Sequence, residues 1–264
     1  MKTIRFHIAM VVALLTATAT AVAQDTLKVS MGVDLVSRYM WRGSDHGDIT
    51  LMPELDINWY GASLQLQGTA GLHKEDNKEI NISLGYKYKF INAGLTDYWT
   101  SNSDFDGRSL YMSWDPVKNS HQLEANIGVD FGFLSVQAYT MIWGNDFKYK
   151  TLEDSENRTN GKRAFSTYIE LQVPFYWKGI DWDLRAGVSP FESAYVVKEE
   201  TVNERTLRQR DHFYANQFSL IMVSARATKQ FKIGDVRTPV FAELHANPYL
   251  KRADFLVGVS VLLF

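Results

Sequence analysis

Apolar and polar residues alternate along most of this chain with a period of two. In the clearest stretch every second residue from Leu27 to Leu35 is apolar, and Tyr39 and Trp41 continue the same parity. Successive side chains of a β-strand point to opposite faces, so this period predicts strands with one apolar and one polar face. We predict twelve strands, over residues 27–41, 49–59, 62–72, 80–90, 93–99, 122–131, 134–143, 164–175, 180–190, 213–230, 236–246 and 254–264.

The connections between these strands alternate in length. Short turns are predicted at Tyr60-Gly61, Ile91-Asn92, 131–133, 177–179 and 232–235, whereas the longer polar loops cover 100–120, 144–162 and 191–212. The apolar stretch Leu110–Trp114 within the first of these loops is interpreted as a strand extension. Short turns on one side and long loops on the other are typical of barrels that cross an outer membrane.

Tryptophans fall near the predicted strand ends. Trp41, Trp99 and Trp143 lie at the loop side, and Trp59, Trp177 and Trp182 lie at the turn side. Trp prefers the headgroup level of a bilayer because its ring is apolar and its N–H can donate. The sequence therefore predicts an all-β fold, a transmembrane antiparallel up-and-down β-barrel of about 12 strands with short periplasmic turns and long external loops.

The N-terminus has the charged, apolar and small-residue order of a secretory signal peptide. Lys2 and Arg5 are followed by the apolar run Ile8–Leu15 and by Ala21-Val22-Ala23. The apolar run is too short for a spanning helix, which needs roughly 20 residues. We predict a cleaved signal peptide over residues 1–23 and an outer-membrane β-barrel over 24–264, located in a bacterial cell outer membrane.

Charge and cysteine content exclude several other classes of function. The formal net charge is −2, and it becomes −4 when Lys2 and Arg5 are removed with the signal peptide. Without a basic excess the chain has little to neutralise phosphates, so nucleic acid is not an expected partner. The chain has no cysteine, which excludes disulfides and Cys-based metal sites.

In a barrel of this kind the apolar face meets lipid and the polar face lines the interior. The predicted pore-lining residues carry both signs of charge, as an ion-selective channel can. They are Asp34, Arg38, Glu54, Asp56, Lys87, Lys89, Glu124, Asp130, Glu170, Asp183, Arg185, Arg237 and Glu243. The same charges could instead pair with one another in a plugged interior, and twelve strands lie between filled and open barrels in size.

No enzymatic, metal or cofactor site is predicted. His245 lies near Glu243 on a polar face but lacks a serine in a nucleophile context. His46 stands between Asp45 and Asp48, and this spacing is not specific for a metal. Asp104–Gly107 resembles part of a calcium loop without its remaining ligands.

The segment Asp34–Gly43 resembles the opening strand of an outer-membrane porin family first catalogued as bacterial proteins of unknown function, the TorF/Gcw-chp type. Ser37, Tyr39, Arg42 and Gly43 occupy the places of its S-x-Y-x-x-R-G stretch. The terminal Phe264 resembles the signal read by the barrel-insertion machinery, although Gly258 and Ser260 depart from the usual apolar pattern. The resemblance implies a small porin and brings no substrate with it.

Two hypotheses follow from the sequence. The first is an outer-membrane channel for passive diffusion of small hydrophilic solutes or ions. The second is a non-conducting barrel whose external loops 100–120, 144–162 and 191–212 bind a ligand or partner, because these loops exceed simple hairpin lengths. The expected partners are outer-membrane lipid, the insertion machinery during assembly and small solutes. Whether the interior is open, and how many copies assemble, is left open by the sequence.

Overall fold

The computed structural model describes residues 27–73, 78–101, 111–112, 114, 120–202 and 205–263. In this part of the chain twelve antiparallel strands form one barrel, which is closed by pairing of the first strand with the last, for example Asp34 with Ser260. The predicted fold class is confirmed. The barrel strands, in their order around the wall, are β1 (Leu27–Val36), β4 (Thr50–Trp59), β5 (Ala62–Gly71), β6 (Lys78–Tyr88), β7 (Ile91–Thr100), β8 (His121–Asp130), β9 (Ser135–Trp143), β12 (Thr167–Trp177), β13 (Ile180–Ser189), β16 (Ser219–Lys229), β19 (Val240–Asn247) and β20 (Arg252–Leu262).

The remaining elements lie in the connections. They are β2 (Tyr39–Trp41), β3 (Ser44–Gly47), β10 (Phe147–Lys148), α1 (Leu152–Asn157), β11 (Lys162–Arg163), β14 (Tyr195–Val202), β15 (Arg205–His212), β17 (Lys232–Ile233) and β18 (Val236–Arg237). Within the described ranges, no helix is long and apolar enough to cross a membrane. The predicted signal peptide, Asp104–Gly107 and Phe264 lie outside the described residues.

The period of two sorts side chains between the two faces of the wall. Outward-facing apolar residues such as Leu84, Ile127 and Leu244 are 57, 60 and 62% exposed, as residues that meet lipid would be. Inward-facing residues are mostly polar, and two apolar clusters interrupt them. One cluster centres on Tyr168 and Ile221 in the half of the barrel nearest the loops; the other joins Val36, Phe241 and Leu256. The interior is therefore partly packed.

The turns have the geometry expected for two-residue hairpins. Tyr60-Gly61 and Lys178-Gly179 have positive φ at both residues, as a type I′ turn requires. The turn predicted at Ile91-Asn92 instead uses Lys89-Phe90, and Ile91 begins β7. This prediction was wrong because alternation continues through the turn and does not mark its centre.

The first strand ends earlier than its alternation suggests. β1 stops at Val36, and the chain then leaves the wall and turns into the barrel through the hairpin of β2 and β3. The prediction that Tyr39 and Trp41 lie on the lipid face, with Trp41 in the outer aromatic belt, was therefore wrong. The ring of Trp41 lies 5.8 Å from that of Tyr98 inside the barrel. The other five tryptophans of the two predicted groups lie near strand ends.

Two of the long loops are structured. Residues 144–162 contain α1 and two short strands, and residues 191–212 contain the hairpin of β14 and β15, which was predicted as a loop. Strands β11, β10, β14 and β15 form one small sheet, which we call the external sheet. Strand β16 begins at Ser219 and strand β19 at Val240, later than predicted. In the predicted strand extension Leu110–Trp114, the described residues Tyr111, Met112 and Trp114 are not in a strand, so the prediction was wrong for these residues. Tyr111 and Trp114 instead pack on His121.

Candidate functional site

The first external loop fills the outer half of the barrel, and we call residues 38–47 the plug. Its central glycine packs directly on the wall. The Gly43 N–H donates to His245 Nε2 at 3.1 Å, and the Gly43 carbonyl accepts from Asn247 Nδ2 at 3.0 Å. Gly43 has φ +85°, and the carbonyl of Ile221 lies where a Cβ would project. Only glycine fits this position without displacement.

Arg42 anchors the plug across the barrel. Its guanidinium forms a bidentate pair with Glu124 of β8, with Nη2 to Oε1 at 2.8 Å, and also donates to the Tyr214 hydroxyl at 2.8 Å. It lies over the rings of Tyr139 and Tyr168 at 4.2 and 4.8 Å. The side chains of Arg42 and Glu124 are 8 and 2% exposed. Such a bidentate charged pair combines strength with fixed geometry.

Aromatic hydroxyl groups complete the surroundings of this pair. The Tyr98 hydroxyl donates to Glu124 Oε1 at 3.1 Å, so the carboxylate is bonded from two directions. Burial raises the pKa of the Tyr214 hydroxyl above its usual range, which keeps this group neutral beside Arg42. The charged pair is therefore satisfied by hydrogen bonds as well as by its partner, the condition under which buried charges are tolerated.

A polar chain joins the plug to the opposite part of the wall. Arg226 Nε donates to Glu243 Oε2 at 2.7 Å, and Glu243 Oε1 lies 3.0 Å from His245 Nδ1. The other ring nitrogen of His245 accepts from Gly43. Both nitrogens of His245 are thus occupied in holding the plug. Arg226 was not predicted, although it shares its parity with the polar residues Ser224 and Thr228.

Beneath the plug, a cavity of about 840 Å³ occupies the turn-side half of the barrel. Gly61 and Gly132 of the turns border it at one end, and Tyr139, which touches the Arg42 guanidinium, borders it at the other. Most of its lining residues are polar. The charged and amide side chains along it include Asp56, Asn58, Gln65, Lys87, Asn92, Asn126, Asp130, Gln137, Glu170 and Gln172.

A smaller cavity of about 240 Å³ lies against β1, β4 and β20. Three acidic residues, Asp34, Glu54 and Asp56, line it together with Arg237. Asp56 borders both cavities. Gln65 and Gln67 donate to Asp56 and Glu54 at 3.1 and 3.0 Å, so amides rather than cations pair with two of these carboxylates.

Most of the predicted pore-lining residues face the interior of the barrel wall. Some already have ionic partners there: Lys87 pairs with Asp130 at 2.6 Å, and Asp183 pairs with Arg185. Two of the predicted residues lie elsewhere. Arg38 stands at the outer rim, where it pairs with Asp254 at 2.9 Å and with Asp45 at 3.2 Å. Lys89 lies in a turn with its ammonium over the ring of Tyr88. That these charged residues line a conducting path remains a prediction.

The histidines outside the wall interior also have structural partners. His46 lies 3.6 Å from Glu79 and does not gather Asp45 and Asp48 around itself. His121, which was not predicted, is fully buried on the outer side of the wall, with Nδ1 2.9 Å from Asp97 and Nε2 2.6 Å from the Tyr111 carbonyl. No three His, Asp or Glu side chains in the described ranges are arranged to hold a metal ion.

Comparisons with known proteins give only distant likenesses. No protein-family model matches the chain, and a search of curated proteins finds no match. Among solved structures, the NanC porin is 9% identical with a TM-score of 0.45 over 88% of this chain and 98% of its own. CdiB from Acinetobacter baumannii is 9% identical, with a TM-score of 0.37 over 91% of this chain and 60% of its own. A loop-deletion mutant of the Vibrio cholerae outer membrane protein OmpT is 13% identical, with a TM-score of 0.31 over 90% of this chain and 99% of its own. Likenesses this distant bear on neither function nor ligand, and the fold rests on the strand pairing itself.

Proposed function

We propose that this protein is an outer-membrane channel for passive diffusion of small hydrophilic solutes or ions, and that the plug closes it in the conformation described. The carrying observation is the polar cavity of about 840 Å³, which reaches the turn end of the barrel and stops at the Arg42 cluster. An exposed apolar outer face suits lipid, and a charged interior suits water. No catalytic role is assigned to any residue.

The contacts of the plug are suited to reversible closure. Part of its anchorage is polar: the Arg42–Glu124 pair and the hydrogen bonds of Gly43 with His245 and Asn247. Water can replace each of these when the plug withdraws into the external medium. The net free energy of such contacts is much smaller than their gross strength, because hydration is exchanged for protein contacts. Trp41 and Met40 also pack on the two apolar clusters, and water does not replace these contacts, which favour the inserted form.

Planar bilayer recordings of purified protein test this proposal, with Arg42→Ala as the main variant. Removing Arg42 leaves Glu124 as a buried charge without its partner, a change that costs about 3–5 kcal/mol in other proteins. We therefore expect wild type to open rarely in discrete steps, and Arg42→Ala to open at least about a hundredfold more often. Arg208→Ala is the matched control, because Arg208 pairs with Glu199 on the exposed external hairpin.

The outcomes separate the two functional hypotheses. Discrete conductance in wild type that rises in Arg42→Ala and not in Arg208→Ala supports a plugged channel. Folded protein that is silent in all three forms overturns the proposal and favours the non-conducting barrel with ligand-binding external loops. Equal, frequent opening in all three forms would show that the protein is a channel whose opening the plug does not control.

A further inference from the structure

A further cavity opens on the loop side, at the outer mouth of the barrel. It has a volume of about 360 Å³ and lies between the plug and the external sheet. We call it the external cleft. This volume is within the range of small-molecule sites, roughly 300–1,000 Å³. Its lining residues are Trp41, Ser44, His46, Gln122, Asn145, Phe147, Tyr149, Ala194, Tyr195, Val196, Asp211, His212 and Phe213.

Aromatic rings from separate parts of the chain line the cleft. The pairing of β10 with β14, Lys148 with Tyr195, brings Phe147 to the cleft next to this pair, whereas Tyr149 and Tyr195 are only 2 and 8% exposed there. The plug supplies Trp41, whose ring lies 6.0 Å from that of Phe213. Rings of this kind offer broad apolar faces at little cost in side-chain entropy, because only two torsions are fixed.

Three polar side chains among these rings have no hydrogen-bond partner in the part of the chain that the structure describes. The side-chain amides of Gln122 and Asn145, and the Ser44 hydroxyl, line the cleft, and none of the three has a hydrogen bond to another described residue. Each amide offers donors and acceptors side by side. A ligand with several neighbouring hydroxyl groups could use both kinds at once.

The charges around the rings oppose a cationic ligand. Guanidinium groups already lie over three of them: Arg42 over Trp41 at 4.5 Å, Arg163 over Phe147 at 4.6 Å and Arg210 over Tyr195 at 4.6 Å. Each guanidinium covers one face of its ring and would repel a quaternary ammonium brought to the other face. Asp211, an acidic residue of the lining, already pairs with Lys198 at 2.6 Å. Aromatic faces with free amides and resident cations suit a neutral ligand that has apolar C–H faces and a polar edge.

We propose that the external cleft binds a small neutral saccharide, with its ring stacked on the aromatic wall and its hydroxyl groups bonded to Gln122, Asn145 and Ser44. The site lies at the outer mouth of the barrel, and it is complete only when the plug is inserted, because Trp41 and Ser44 belong to the plug. Sugar binding can be measured whether or not the barrel conducts.

Isothermal titration in a polyoxyethylene detergent, which lacks sugar and ammonium groups, tests the proposal. The probes are D-glucose, D-galactose, N-acetylglucosamine, maltose and cellobiose, with choline as the cationic comparison. We expect saturable binding of at least one sugar and none of choline. Phe147→Ala should weaken that binding by about tenfold through loss of one partly exposed stacking ring. Phe191→Ala, an exposed aromatic residue of the same loop that does not line the cleft, should leave it unchanged.

Three results would overturn the proposal: no sugar of the panel binds below about 10 mM, a weak-binding limit; choline binds and the sugars do not; or Phe147→Ala and Phe191→Ala behave alike. Asn145→Ala guards against misfolding of the Phe147 variant, because it removes one amide and leaves the aromatic wall intact. It should weaken sugar binding by about tenfold, the effect of leaving ligand hydroxyls unpaired. Unchanged sugar binding in Asn145→Ala would show that the Asn145 amide does not bind the sugar. The heat-modifiable gel mobility of each variant verifies the folded barrel.

Discussion

Replacing Gly43 with alanine tests the position of the plug most directly. A Cβ at this position would lie 2.0 Å from the carbonyl oxygen of Ile221 and 3.0 Å from Asn247 Nδ2. Ile221 is 1% exposed and its carbonyl belongs to the barrel wall, so this neighbour cannot yield as a flexible side chain would. The plug must therefore withdraw by about an ångström or more to restore ordinary contact distances.

The free-energy cost of the substitution has two parts. Withdrawal breaks the hydrogen bonds of Gly43 with His245 and Asn247, each worth about 1 kcal/mol. The φ of +85° adds about 1 kcal/mol or more for a residue with a side chain. The inserted plug should lose about 3 kcal/mol in total, which is roughly a hundredfold in the equilibrium between inserted and withdrawn forms.

Trypsin cleavage after Arg42, followed by mass spectrometry, measures this equilibrium. Arg42 is buried when the plug is inserted, so cleavage there should be slow in wild type and much faster in Gly43→Ala. Gly132→Ala is the matched control, because Gly132 has nearly the same φ, +84°, in a turn where nothing lies within 4 Å of its Cβ position. If cleavage after Arg42 is equally slow in both variants, Gly43 does not pack on Ile221, and the placement of the plug inside the barrel is wrong.

The remaining predictions concern selectivity and the lipid face. Lys87→Glu should shift the selectivity of the open channel towards cations, because it places a second negative charge beside Asp130 in the main cavity, whereas Arg38→Glu, at the rim beside Asp254, should change the reversal potential much less. A larger shift for Arg38→Glu would place the selectivity filter at the rim. Leu84→Arg on the outward face should lower the free energy of unfolding in lipid vesicles by about 2–4 kcal/mol, measured by urea titration. A change near zero would argue against lipid contact at that site.

The outer wall of the barrel was predictable from local pattern, and the reason is physical. Lipid on one side and water on the other impose opposite requirements on successive residues of a strand. Each strand therefore shows the period of two within its own sequence. The residues facing the interior at Glu54, Asp56, Glu170 and Asp183 were identified in this way. Turn positions such as Tyr60-Gly61 were also local, because they need positive φ at adjacent residues.

The external loops and the cleft were not predictable in this way. Residues 191–212 are charged and suggested an irregular loop, yet they form a hairpin whose strand β14 pairs with β10, some 50 residues earlier in the chain. That pairing is what brings Phe147 and Tyr195 to the same cleft. No period or composition within either segment carries information about its partner.

The sequence by itself determined that the chain alternates, which faces of its strands are apolar, and where most strands begin and end. The tertiary structure decided where residues 38–47 go. Tyr39 and Trp41 keep the alternation of β1, and an apolar side chain satisfies it equally well against lipid or against the packed interior. Burying Arg42 requires Glu124, 82 residues away, and seating Gly43 requires His245, 202 residues away. Only closure of the barrel brings these partners together, and it is their meeting that places the plug inside the barrel.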